Sequence, residues 1–108
     1  MGLSKFFILR VLYSRPRHGY EIIQTVAKIS KGCCTPTEGT IYPALREFEA
    51  AGLVTCRTES TGGRERKVYF LTARGKRAFE VAAEAWKEAT HYILEAVEIP
   101  ELQDETTF

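Results

Sequence analysis

Thr35-Pro36-Thr37-Glu38-Gly39-Thr40-Ile41-Tyr42-Pro43-Ala44-Leu45-Arg46-Glu47-Phe48-Glu49-Ala50-Ala51-Gly52 is the stretch around which the 108-residue chain is organised. Thr35 with Glu38 three residues later reads as a capping box, and Pro36 falls at the first helical position, where a missing N–H costs nothing. Gly52 is placed to end the run in the left-handed conformation. These signals predict a helix with defined ends. Ile41, Ala44, Leu45 and Phe48 recur at steps of three and four and form one apolar stripe for burial. The opposite stripe and first turn carry Thr37, Thr40, Tyr42 and Arg46, so such a helix can be held by its back and read a partner with its front. An isolated helix of this kind is more simply an amphipathic surface helix, and the flanking chain decides between the two. Pro43 removes the donor that the Gly39 carbonyl would normally receive, which predicts a bend or a loosened first turn.

Upstream, Ser4 to Tyr13 is apolar nearly all round, interrupted only by Lys5 and Arg10. A helix of that kind needs cover on every side, and in a chain this small a second subunit is expected to supply part of it. Pro16 biases Arg15 away from the helical region and breaks the pattern. A second helix is predicted from His18 to about Ser30, with Tyr20, Ile23, Val26, Ala27 and Ile29 as buried candidates. The free N–H groups of its first turn suit a phosphate. Lys31-Gly32-Cys33-Cys34 then turns the chain into the Thr35 helix, which gives the skeleton of a helix-turn-helix.

Downstream, Leu53 to Glu59 and Arg66 to Thr72 are β-branched and aromatic runs separated by the turn cluster Ser60 to Glu65. They predict a β-hairpin whose tip and second strand carry Arg64, Arg66 and Lys67. A long final helix is predicted from about Ala73 to Val97, stopped by Pro100. Phe79, Ala83, Trp86, Thr90, Ile93 and Val97 repeat in alternating steps of four and three, a heptad-like seam. No later helix is available to cover it, so the expected partner is the same helix, or the apolar first helix, of another copy.

The net charge of +1 conceals a strong local asymmetry. Residues 57 to 77 hold seven Lys/Arg against two Asp/Glu, whereas residues 78 to 108 hold one against eight. Basic charge is therefore concentrated just after the Thr35 helix. Three cysteines do not make a disulfide framework, and no apolar run approaches membrane-spanning length. A cytoplasmic protein with reduced thiols and no membrane association is expected.

The elements add up to a mainly α chain with a small β-hairpin, a winged helix-turn-helix over residues 1–72. A C-terminal dimerisation helix over 73–100 and an acidic, frayed tail over 101–108 follow. His18-Gly19-Tyr20-Glu21-Ile22, Gly39-Thr40-Ile41-Tyr42-Pro43-Ala44-Leu45, Glu49-Ala50-Ala51-Gly52-Leu53-Val54 and Lys67-Val68-Tyr69-Phe70-Leu71-Thr72-Ala73-Arg74-Gly75 occur in an order and spacing that resembles the PadR-like family of bacterial transcriptional regulators. The resemblance runs over roughly residues 3 to 95, and the single C-terminal helix is similar to that of the family's short members. It implies a homodimeric repressor on palindromic operator DNA, released by a small effector. It also implies that Gly39, Thr40, Tyr42 and Pro43 face DNA. Phe70 and the Cys33-Cys34 pair depart from the family pattern.

Residue chemistry gives a compatible set of contacts. Thr37, Thr40, Tyr42 and Arg46 can reach base edges or phosphates from a helix in the major groove, joined by Tyr20 at the start of the second helix. Arg64, Arg66 and Lys67 would add affinity and salt dependence more than sequence choice. In a dimer the two reading helices would stand about 34 Å apart, one turn of DNA. Trp86, with Phe7, Phe79, Ala83, Thr90 and Ile93, is expected at the dimer interface, as a seam aromatic or as the wall of a cavity for a flat aromatic effector. In short relatives of the family a tryptophan in this region lines such a pore.

Two other functions fit less of the chain. Cys33, Cys34 and Cys56 could make a thiol sensor of a trivalent metalloid or of oxidants on the same fold, although no Cys-x-x-Cys pair is present. The winged helix could also serve only protein interaction, against which the basic wing argues. No nucleophile motif, phosphate-cradling loop, paired carboxylates or metal-ligand set supports an enzyme, a cofactor or a metal, and His18 and His91 stand alone.

Overall fold

The computed structural model describes residues 2–101. The tail expected to fray lies, apart from Glu101, outside the described residues. In chain order the elements are α1 (Leu3–Ser14), β1 (Arg17–His18), α2 (Gly19–Ile29), α3 (Glu38–Ala50), β2 (Val54–Thr61), β3 (Arg64–Leu71) and α4 (Ala73–Val97). The strands form one antiparallel sheet in the order β1-β3-β2. The result is a winged helix extended by a long C-terminal helix.

One core holds these elements together. α1 contributes Ile8, Leu9, Val11 and Leu12, α2 contributes Ile22 and Val26, and α3 contributes Ile41, Ala44, Leu45 and Phe48. Val54 and Tyr69 enter from the base of the wing and Phe79 from α4. Each large apolar side chain so buried contributes about 1.5–3 kcal/mol. The apolar stripe read from Ile41, Ala44, Leu45 and Phe48 is buried as expected.

The all-round apolar character of α1 has a partly different explanation from the one expected. Its flank is covered by α4 of the same chain, where Phe6 stacks on Phe79 with ring centroids 5.3 Å apart and Tyr13 meets Phe79 at 4.8 Å. In α2 the buried positions are Gly19, Ile22 and Val26, while Tyr20 and Ile29 are exposed. Val26 is buried and Ile23 packs partly buried on the core as expected, so the expected face fails only at Tyr20 and Ile29, and Ile22 takes the central buried place. Tyr20 is thereby released to the surface. His18 caps α2, and its backbone N–H donates to Glu21 Oε1 at 3.2 Å.

α3 begins later than predicted. Thr37 is the N-cap, and its N–H donates to Thr40 Oγ1 at 2.9 Å, so Pro36 precedes the helix instead of opening it. The same three-residue spacing that suggested Thr35 and Glu38 is satisfied by Thr37 and Thr40. The helix runs unbroken through Pro43. It ends in a Schellman turn, with Gly52 at φ 76°, the Leu53 N–H donating to the Phe48 carbonyl (2.9 Å) and the Gly52 N–H to that of Glu49 (3.0 Å).

The wing is longer and its turn tighter than predicted. Thr61 pairs with Arg64, so the turn narrows to Gly62 and Gly63, both left-handed at φ 59° and 79°. Two consecutive positive φ values match the twist of the flanking strands, and glycine adopts them without steric cost. β1 adds a third strand, Arg17 opposite Tyr69 and His18 opposite Val68, where the sequence had shown only a break. Two residues are too few to carry a period.

Candidate nucleic-acid interface

With its apolar stripe in the core, α3 turns Thr37, Gly39, Thr40, Pro43 and Arg46 to the surface. Tyr42 is half-buried because its ring lies against α2. A Cβ placed on Gly19 would stand 2.6 Å from the Tyr42 hydroxyl and 2.8 Å from its ring edge, so only glycine permits this approach. Tyr42 then forms one wall of a cleft of about 570 Å³ between the first turns of α2 and α3 and the distal half of β3.

The cleft gathers Tyr20, Tyr42, Arg64, Arg66 and Lys67 from the residues expected to bind DNA. It also contains His18, Glu38, Glu65 and Tyr69, which the sequence reading did not assign to the interface. Position alone could have suggested Glu38, which opens the reading helix. Tyr69 had no such signal, since a strand's alternation does not say where it leaves the core. Thr37, Gly39, Thr40, Pro43 and Arg46 share the exposed side of α3 but are not among the cleft's walls.

β3 positions the charges by passing from solvent into the core along its length, with residues 64–67 exposed and Val68 and Tyr69 buried. The side chains of Arg64, Arg66 and Lys67 form no ion pair or hydrogen bond among the described residues. Their cationic heads are therefore available to an external anion. Burial, with Cys56 and Glu49 nearby, pushes the Tyr69 hydroxyl above its usual pKa and keeps it a protonated donor. Arg57 lies over the Phe70 ring at 5.0 Å, so the departure at Phe70 gives a wing cation an aromatic seat.

The arm presents a second surface. Phe6, Arg10, Phe79, Ala83, Trp86, Lys87 and Thr90 line an open groove of about 580 Å³ between α1 and α4. Trp86 stands 6.3 Å from Phe6, which occupies the place expected for Phe7. Phe7 packs partly buried on the core instead, and Ile93 lies exposed farther along α4.

Over residues 8–81 the chain matches the PadR-like family of transcriptional regulators. It belongs to that family. It is 34% identical over 79 residues to the transcriptional regulator YqjI of Escherichia coli, a match covering 73% of this chain and 37% of the relative. The chain thus corresponds to little more than a third of that protein's length. Among solved structures it is similar to a PadR family transcription regulator from Clostridium difficile, with a TM-score of 0.78, 26% identity and coverage of 89% and 99% of the two chains. It is also similar to Bacillus subtilis PadR in complex with operator DNA, with a TM-score of 0.70, 28% identity and coverage of 77% and 48%. The winged-helix fold follows from this membership.

The cysteine pair that departs from the PadR-like pattern sits in the turn before α3. Cys33 is exposed and Cys34 buried, and both border a cleft of about 330 Å³ with Lys5 and Thr40. Cys56 lies on β2, its Sγ 3.8 Å from Glu49 Oε2. The described residues contain no group of three His, Cys, Asp or Glu able to hold a metal ion. No described helix is long and apolar enough to cross a membrane.

Proposed function

We propose that this PadR-like regulator is a homodimeric repressor that binds palindromic operator DNA through α3 and the wing and leaves it when a small aromatic effector binds the arm. Residues 1–72 would serve DNA and residues 73–100 dimerisation. The observation that carries this reading is the set of unpaired cations, Arg64, Arg66 and Lys67, facing the start of α3 across one cleft. α3 would enter the major groove with Thr37, Gly39, Thr40, Tyr42, Pro43 and Arg46, while the wing and Tyr20 hold phosphates. Dimerisation is supported by Tyr92, Ile93, Leu94 and Val97, all exposed on α4. A cytoplasmic location follows from the same function.

Arg64→Ala and Lys67→Ala are expected to weaken binding to all duplexes and to reduce the slope of log affinity against log salt by roughly one each. An unchanged slope in both variants removes the wing from the interface. Trp86, the chain's one tryptophan, reports on the arm. Titration with aromatic compounds is expected to quench it only for those that also dissociate the operator complex.

A further inference from the structure

We propose that Glu38 sets the base preference of the reading helix by accepting a hydrogen bond from the exocyclic amino group of a cytosine. The proposal rests on the reading of α3 as the DNA-reading element and names one of its specificity determinants.

Glu38 is the first residue of α3 and is exposed, in the turn whose residues reach base edges in helix-turn-helix complexes. It shares its cleft with Tyr42, Tyr20 and Arg66. The helix cap is closed by Thr37 and Thr40, so Glu38 is not needed for the box its spacing had suggested. Its carboxylate makes no hydrogen bond and no ion pair among the described residues, although three wing cations line the same cleft.

An unpaired carboxylate is a liability for any surface that approaches a polyanion. Phosphates repel it, and contact with the duplex strips its water. A donor on the DNA is what offsets both. The major groove exposes amino donors only on cytosine N4 and adenine N6, whereas guanine O6 and N7 and thymine O4 are acceptors. Of these a carboxylate suits cytosine N4, because adenine presents its N6 donor beside the N7 acceptor and is matched by an amide. Glu38 is thereby favourable opposite cytosine and repulsive opposite guanine or thymine. The wing cations attract every sequence alike, so the carboxylate's effect is seen in which sequence is kept.

The test is selection of bound duplexes from a random pool by the intact protein and by Glu38→Ala and Glu38→Gln, followed by affinity measurement on selected and unrelated duplexes. The intact protein is expected to retain a C·G pair at one position of each half-site. Glu38→Ala should lose that preference alone, bind the selected duplex about tenfold more weakly per half-site, and bind unrelated duplexes as well or better. Glu38→Gln should shift the position toward adenine. The same base preferences for Glu38→Ala as for the intact protein would overturn the proposal, as would an equal loss on every duplex accompanied by a lower Tm. Failure of the intact protein to select any sequence is a different result, which overturns the DNA-reading function and this assignment with it.

Discussion

Gly19 shows how one missing atom shapes the candidate interface. The Tyr42 ring occupies the space a side chain would take, and that contact sets the distance between the first turns of α2 and α3. Gly19→Ala is expected to push the ring into the cleft and weaken DNA binding by about tenfold, an effect of about 1.4 kcal/mol. The exposed end of the ring can yield, so circular dichroism should show the fold retained. Glu21, two residues on, is a pH-dependent support. Burial alone would raise its carboxyl, but the His18 N–H and the Arg15 guanidinium outweigh burial and hold it below the ordinary value of 4.5. A depressed native pKa means that the stabilisation is complete above the unfolded value and is lost as the pH falls through the native one. Glu21→Ala is therefore expected to lower stability at neutral pH. In chemical denaturation the difference from the intact protein should narrow as the solution is acidified below pH 4.5.

Between elements, the decisive joint connects the end of the reading helix to the start of the arm. Thr72 caps α4 by accepting from the Gly75 N–H at 2.9 Å, and the same hydroxyl donates to the Gly52 carbonyl at 2.7 Å. The Thr72 N–H donates to the Leu53 carbonyl at 3.0 Å. The Schellman turn of α3 and the first turn of α4 thus share one set of hydrogen bonds, which ties the arm directly to the helix proposed to read DNA. Gly75 is part of this joint because a Cβ there would fall on the Leu53 carbonyl oxygen. Gly75→Ala would have to separate the two elements, with an expected cost of about 2 kcal/mol. For a domain of this size that is roughly a 10 °C fall in Tm. A thermal melt within a degree or two of the parent would show that the joint is not tightly packed.

At the level of the whole molecule the arm dominates the shape, with principal extents of 64 × 26 × 20 Å. Its first half is covered by α1 through Phe79 and Trp86, while Ile93 and Val97 are 58% and 65% exposed. That asymmetry is the physical ground for expecting a second copy to complete the seam. Ile93→Glu is predicted to leave a folded monomer by light scattering at micromolar concentration and to abolish operator binding at concentrations where the parent binds. The loss arises because two linked half-sites bind far more tightly than one. A monomeric parent protein would remove this expectation and the palindrome with it.

Helix periods, turn residues and the local surplus of Lys and Arg are properties of neighbouring residues, and from them the sequence alone determined the order of the elements, the buried stripe of α3, the basic wing and the family. The cap at Thr37, the outward turn of Tyr20, the strand at Arg17 and His18 and the intrachain cover on α1 were decided only by tertiary structure. Each depends on which of several locally equivalent choices is packed or hydrogen-bonded by a distant segment: Thr35 and Thr37 offer the same capping chemistry, and two residues become a strand only because β3 presents an unpaired edge. The cleft joining Tyr20, Tyr42, Glu38 and the wing cations has the same origin, since residues up to 47 positions apart in the chain meet there only after the core has formed.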